Sequence, residues 1–108
     1  MRSVLWLAAG LILASAPCAA QNGIADPARG RELAQRLCSN CHVIAPGGSG
    51  APRLDVPSFT AIANTPAVTP EHLAGAIVIP HPEMPDTSLT RDEIRDVIAY
   101  IMSLRESR

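Results

Sequence analysis

The sequence predicts an all-α domain of short helices joined by long irregular connections, and three observations carry that prediction. Helix-start signals precede apolar residues at helical spacing, no segment has the alternation of a half-buried strand, and Gly and Pro cluster in the stretches between. With 108 residues, 47% hydrophobic and 18% charged, the chain is too short for two ordinary domains and too apolar for a disordered tail. There is no internal repeat.

Residues 1–20 read as an export signal. Arg2 is the only charge, Val4 to Leu13 are almost wholly apolar, and Ala14-Ser15-Ala16-Pro17-Cys18-Ala19-Ala20 supplies small residues for cleavage after Ala20. The apolar stretch, about 15 residues, falls short of the roughly 20 that a spanning helix needs. A cleaved signal and a periplasmic location are predicted, with residues 21–108 as the domain. Lipid attachment at Cys18 is the lesser alternative, poorly served by Pro17. Cleavage also removes Cys18 and leaves Cys38 and Cys41 as a single pair, with eight Arg against ten Asp and Glu, a formal charge of −2. All nine basic residues are Arg, none form a run, and the aromatics are only Trp6, Phe59 and Tyr100, so nucleic acid is not a predicted partner.

Asp26-Pro27 offers an N-cap followed by Pro at the first helical position. Gly30, Leu33, Ala34 and Leu37 then form a buried face, with Arg31, Gln35 and Arg36 in water. Gly30 costs such a helix roughly 1 kcal/mol against Ala. A close crossing by another element would account for it, and so would a neutral surface position. Residues 45–57 are dense in Gly and Pro and form a long loop of the kind that surrounds a site. Ser58 to Asn64 is a short helix presenting Phe59 and Ile62. Thr69-Pro70-Glu71 starts another, with Leu73, Ala76 and Ile77 on one face, stopped by Pro80 and Pro82. The last helix has a capping box, Thr90 with Glu93, and a hydrophobic staple, Leu89 with Ile94. Its apolar stripe is Ile94, Val97, Ile98, Ile101 and Leu104, and Arg91, Asp92, Arg95 and Asp96 form its polar face.

The chemistry lies in Cys38-Ser39-Asn40-Cys41-His42. Two thiols two residues apart, followed at once by His, are the attachment signature of c-type haem. One helical turn brings both sulfurs to one side for thioethers to two vinyl groups, and aims His42 at the iron from the same face. A zinc site would need further paired ligands, and His72 and His81 lie nine residues apart. A thioredoxin-like pair would need a strand and a parallel sheet around it. A plain disulfide fits the spacing and leaves His42 unexplained.

With His42 as proximal ligand, the sixth position falls to Met, to His or to nothing. Met102 fits a packing position on the last helix, and His72 a solvent-facing first turn. Met84 lies in Ile79-Pro80-His81-Pro82-Glu83-Met84-Pro85, where no stripe calls for a Met and prolines stiffen the backbone. His81 is the local rival.

Residues 26–104 resemble the small monohaem class I c-type cytochromes. Gly30 stands eight residues before Cys38; the attachment string is complete; Gly48-Ser49-Gly50-Ala51-Pro52-Arg53-Leu54 follows in the loop, then Met84-Pro85 and a final helix with Tyr100. The resemblance implies a cytochrome c-like fold of three to five short helices around one haem c, held through Cys38 and Cys41. It also implies axial ligands His42 and Met84, and Gly30 packed against Tyr100 where the first and last helices cross. Pro52 takes the place of the residue whose carbonyl orients the His42 imidazole, consistent with a ligating His donating its second N–H. Arg53 falls near the haem, as a propionate contact or a solvated loop residue. The chain reads Gly-Ala-Pro where many members place Gly directly before Pro. It also lacks the lysine-rich rim of mitochondrial cytochrome c, so docking through a basic ring is not implied.

With both axial positions filled, the expected function is one-electron transfer between redox protein partners, a donor dehydrogenase and an acceptor oxidase or reductase, and not enzymatic turnover. Leu37, Leu54, Phe59, Ile62, Leu73, Ile77, Val97 and Ile98 would supply apolar walls. The alternatives are an electron-accepting subunit of a periplasmic dehydrogenase or oxidase complex, and a gas sensor or peroxidase with an open position at Met84.

Overall fold

A computed structural model of the chain describes residues 23–48, 53 and 55–107. Its helices are α1 (Pro27–Leu37), α2 (Phe59–Asn64), α3 (Pro70–Val78) and α4 (Arg91–Ser103), with no strand among the described residues. The all-α expectation holds. Residues 1–20, read above as an export signal and including Cys18, lie outside the described residues, as do Pro52 and Leu54.

Local chemistry sets each helix start. The Asp26 carboxylate accepts from the Ala28 and Arg29 N–H groups ahead of Pro27, and Ser58 and Thr69 cap α2 and α3 with their hydroxyls. At α4 the capping box is complete: Thr90 Oγ1 accepts from Glu93 N–H, and the Glu93 carboxylate accepts from Thr90 N–H at 2.8 Å. That Thr90 N–H, with the Thr90 hydroxyl, holds the Glu93 carboxyl below its usual range.

The crossing of α1 and α4 organises the domain, and α2 and α3 pack against α4. At the crossing a Cβ on Gly30 would overlap the Asp96 carbonyl oxygen and lie 2.9 Å from Val97 N, so the two backbones touch and only glycine fits. The close crossing foreseen for Gly30 is therefore present, and its nearest neighbours are the Asp96 and Val97 backbone rather than Tyr100. Leu33 and Ala34 of α1 join Val97, Ile98 and Ile101 of α4 in the core, with Ile44, Phe59, Ala63 and Leu73.

Two sequence expectations are corrected. Asp96, placed on the polar face of α4, is 1% exposed. It faces the start of α1, where Asp26 N–H donates to Oδ1 at 2.8 Å and Arg29 Nε to Oδ2 at 2.5 Å. Burial pushes its carboxyl up, but the Arg29 and Asp26 hydrogen bonds outweigh that and hold it below the usual carboxylate range. Leu37, placed on the buried face of α1, is 40% exposed, because the helix ends there and its last turn borders an open cavity.

Candidate haem-binding site

Past α1 the chain makes one tight turn. Cys41 N–H and His42 N–H both donate to the Cys38 carbonyl, at 3.1 and 2.9 Å, so the string forms the single helical-type turn that its spacing predicts. The segment behind it is tied down at both neighbours: Phe59 N–H donates to Val43 O at 2.9 Å, and the Tyr100 hydroxyl to Ile44 O at 2.7 Å. Tyr100 thus belongs to the frame of the site, with its ring 6.3 Å from that of Phe59.

His42 is buried, its ring tilted against Phe59 at 5.4 Å between centroids. Its Nδ1 lies 2.7 Å from the Pro57 carbonyl oxygen. A carbonyl only accepts, so Nδ1 carries the proton, and in the neutral ring Nε2 is the nitrogen free to bind a metal. Pro52, expected to supply that carbonyl, lies outside the described residues; the acceptor at His42 is Pro57. Sequence reasoning missed it, although Pro57 directly precedes the Ser58 cap that anchors the loop's end.

Cys38, Cys41, His42 and Met84 all line one cavity of about 300 Å³, bordered also by Leu37, Arg53, Pro57 and His81. A smaller pocket of about 70 Å³ shares Cys38, His42, His81 and Met84 with it, and is walled by Phe59, Ile62, Leu73, Ile77, Val97 and Ile101. The expected apolar walls are thus largely in place; Ile98 is buried in the core and not among the lining residues. Leu89, Ala76 and Ile101 were not foreseen as walls, though Ile101 follows Val97 by one turn on the same stripe. Met84 is half-buried at the cavity and His81 exposed. His72 is exposed on α3, and Met102 packs against the core.

The donor set suits a haem. Two free thiols, an imidazole with one nitrogen available and a thioether share apolar walls, and no group of three or more His, Cys, Asp or Glu among the described residues could hold a bare metal ion. Burial, with some help from Cys41, pushes the Cys38 thiol up to about 11. A thioredoxin-like nucleophile needs the opposite shift.

Comparison with known proteins agrees. Residues 25–101 match the family profile described as cytochrome C oxidase, cbb3-type, subunit III. The chain is also 43% identical over 95 residues to cytochrome c-552 of Bradyrhizobium diazoefficiens, covering 88% of this chain and 90% of that one. No solved structure matches significantly. The chain belongs to this family: it is a monohaem c-type cytochrome, an electron-transfer protein with one covalently bound haem c.

Proposed function

We propose that this protein is a periplasmic one-electron carrier in which Cys38 and Cys41 form the thioethers and His42 and Met84 are the axial ligands. The observation that carries this reading is the single cavity lined by all four side chains. The haem supplies a ferric/ferrous couple when bound. Pro57 fixes the His42 tautomer and ring orientation through Nδ1–H. With Met84 as second ligand beside His42, the iron would have no open site for a substrate. Phe59, Ile62, Leu73, Ile77 and Val97 keep water from the centre, and an apolar wall disfavours the extra positive charge of the ferric form. Thioether ligation acts in the same direction, so the potential is relatively high. Export of residues 1–20 places the carrier in the periplasm, with lipid attachment at Cys18 as the variant of that reading. No helix among the described residues is long and apolar enough to cross a membrane.

The test is an optical spectrum of the holoprotein, oxidised and reduced, with denaturing extraction to check covalent attachment. A low-spin reduced spectrum and the weak ferric sulfur-to-iron band are expected. Met84→Ala should abolish that band and lower the potential substantially; an unchanged spectrum and potential would remove Met84 as ligand. Rapid, complete carbon monoxide binding at neutral pH would put a sensor or peroxidase in the carrier's place.

A second reading has one observation in its favour, the cbb3-type oxidase description of the matching family. On it the protein is the electron-accepting subunit of a periplasmic complex. Copurification with an oxidase or dehydrogenase from native periplasm or membrane, against recovery as a free protein, separates the two.

A further inference from the structure

Two segments distant in sequence carry the supports of the proposed axial ligands. Residues 53–57 hold Pro57, whose carbonyl receives the His42 proton, and residues 81–84 hold Met84. Arg53 joins them: its Nη2 donates to Glu83 Oε2 at 2.8 Å and to Asp55 Oδ2 at 3.1 Å. Asp55 therefore braces the guanidinium from its own loop while Glu83 meets it from across the cavity.

Glu83 is an unusual residue for its place. Met84 N–H donates to His81 O at 3.0 Å, closing a four-residue turn with Pro82 second and Glu83 third. Glu83 has φ +76°, the left-handed conformation that this turn position demands and that glycine or asparagine adopts at least cost. A glutamate accepts a steric penalty there that glycine would avoid, and what its side chain gains is the Arg53 bridge. We infer that Arg53 and Glu83 form a latch that holds the 81–84 turn closed and so positions Met84, coupling the Met84 side of the cavity to the loop that orients His42. The inference rests on Met84 being the second axial ligand.

Side-chain exposures of 44% and 67% leave both partners open to solvent, so the latch is weak and screened by salt. It biases the turn rather than locking it, and the expected effect is at most about fivefold in the equilibrium between closed and open turn.

The ferric holoprotein, titrated with imidazole as a competing ligand at fixed pH, reads that equilibrium directly. Glu83→Gln should raise the apparent imidazole affinity two- to fivefold, with the unfolding midpoint little changed. Raising the salt concentration should bring wild type toward the variant and leave the variant almost unmoved. Arg53→Lys keeps the charge and should retain most of the wild-type resistance, whereas Arg53→Gln should match Glu83→Gln, and the double variant should be no worse than either. Equal imidazole affinities in wild type and Glu83→Gln would overturn the latch. So would an effect of Arg53→Gln that Glu83→Gln does not share, because Arg53 would then act on another group such as a haem propionate. A wild-type protein without the sulfur-to-iron band would instead remove Met84 ligation, and the latch with it, whereas a normal band with silent variants removes the latch alone.

Discussion

The α1–α4 crossing and the cavity opposite it are held by different physics. At the crossing, backbone meets backbone at Gly30, and a buried carboxylate has both oxygens satisfied. At the cavity, one tight turn, two loops and exposed ion pairs surround about 300 Å³ of space. The crossing is complete without a cofactor, while the cavity walls enclose space that no described residue fills. The contrast separates what the helices must do, which is to set a frame, from what the loops would do on the proposed assignment, which is to place two thioether-forming sulfurs and two iron ligands around a group that serves as the missing core.

The most severe way to break that division is to take the haem away. Phe59, Leu73, Val97 and Ile101, four of the ten buried hydrophobic residues among those described, belong both to the core and to the cavity wall, so the cofactor and this part of the core should pack as one unit. Cys38→Ala with Cys41→Ala should leave a chain that has lost most of its helical circular dichroism. Native helical content without haem would mean that the crossing folds by itself, and that the two regions are separable units.

Next in size is Gly30→Ala. The atoms a methyl would strike are backbone atoms of Asp96 and Val97, which cannot swing aside as a side chain can. The helices must part, at a cost of about 3 kcal/mol, roughly 10–20 °C in Tm for a domain of this size. The spectrum of the folded fraction should stay as in wild type, since the change is at the frame. An altered ligation spectrum would show that the crossing sets the cavity geometry directly.

What could be read in the sequence was whatever depends on near neighbours. Asp26-Pro27, Thr69-Pro70 and Thr90 with Glu93 place three helix starts correctly because a cap and its helix are local. The Cys38 to His42 turn was legible for the same reason. Asp96 was not, because its partner Asp26 N–H comes from 70 residues away, and by its own surroundings it is one more charge on an amphipathic helix. Neither was the acceptor for His42. Pro57 and Pro52 are alternatives within one Gly- and Pro-rich stretch of sequence, where no periodicity decides which carbonyl meets the ring. The left-handed Glu83 was invisible too, since its conformation is set by a turn whose reward is an arginine 30 residues back.

The smallest of these effects is the most informative about the crossing. Asp96→Asn keeps the shape of the side chain but makes one of its terminal atoms a donor, and two donors already converge on the carboxylate, Asp26 N–H and Arg29 Nε. Losing charge-assisted hydrogen bonds there should cost about 1.5–3 kcal/mol at neutral pH. The pH dependence identifies the cause. Asp96 is held below the unfolded carboxylate value of about 3.9, so its charged form contributes stability that is full above that value and fades as pH falls through the folded one. The gap between wild type and Asp96→Asn, read by denaturant unfolding, should therefore be constant from about pH 6 to 8 and shrink below about pH 4. Glu93 and Asp55 are also held low, but they titrate alike in both proteins and cancel in the difference. A gap that persists undiminished into acid would mean that shape, not charge, is what the crossing needs from Asp96.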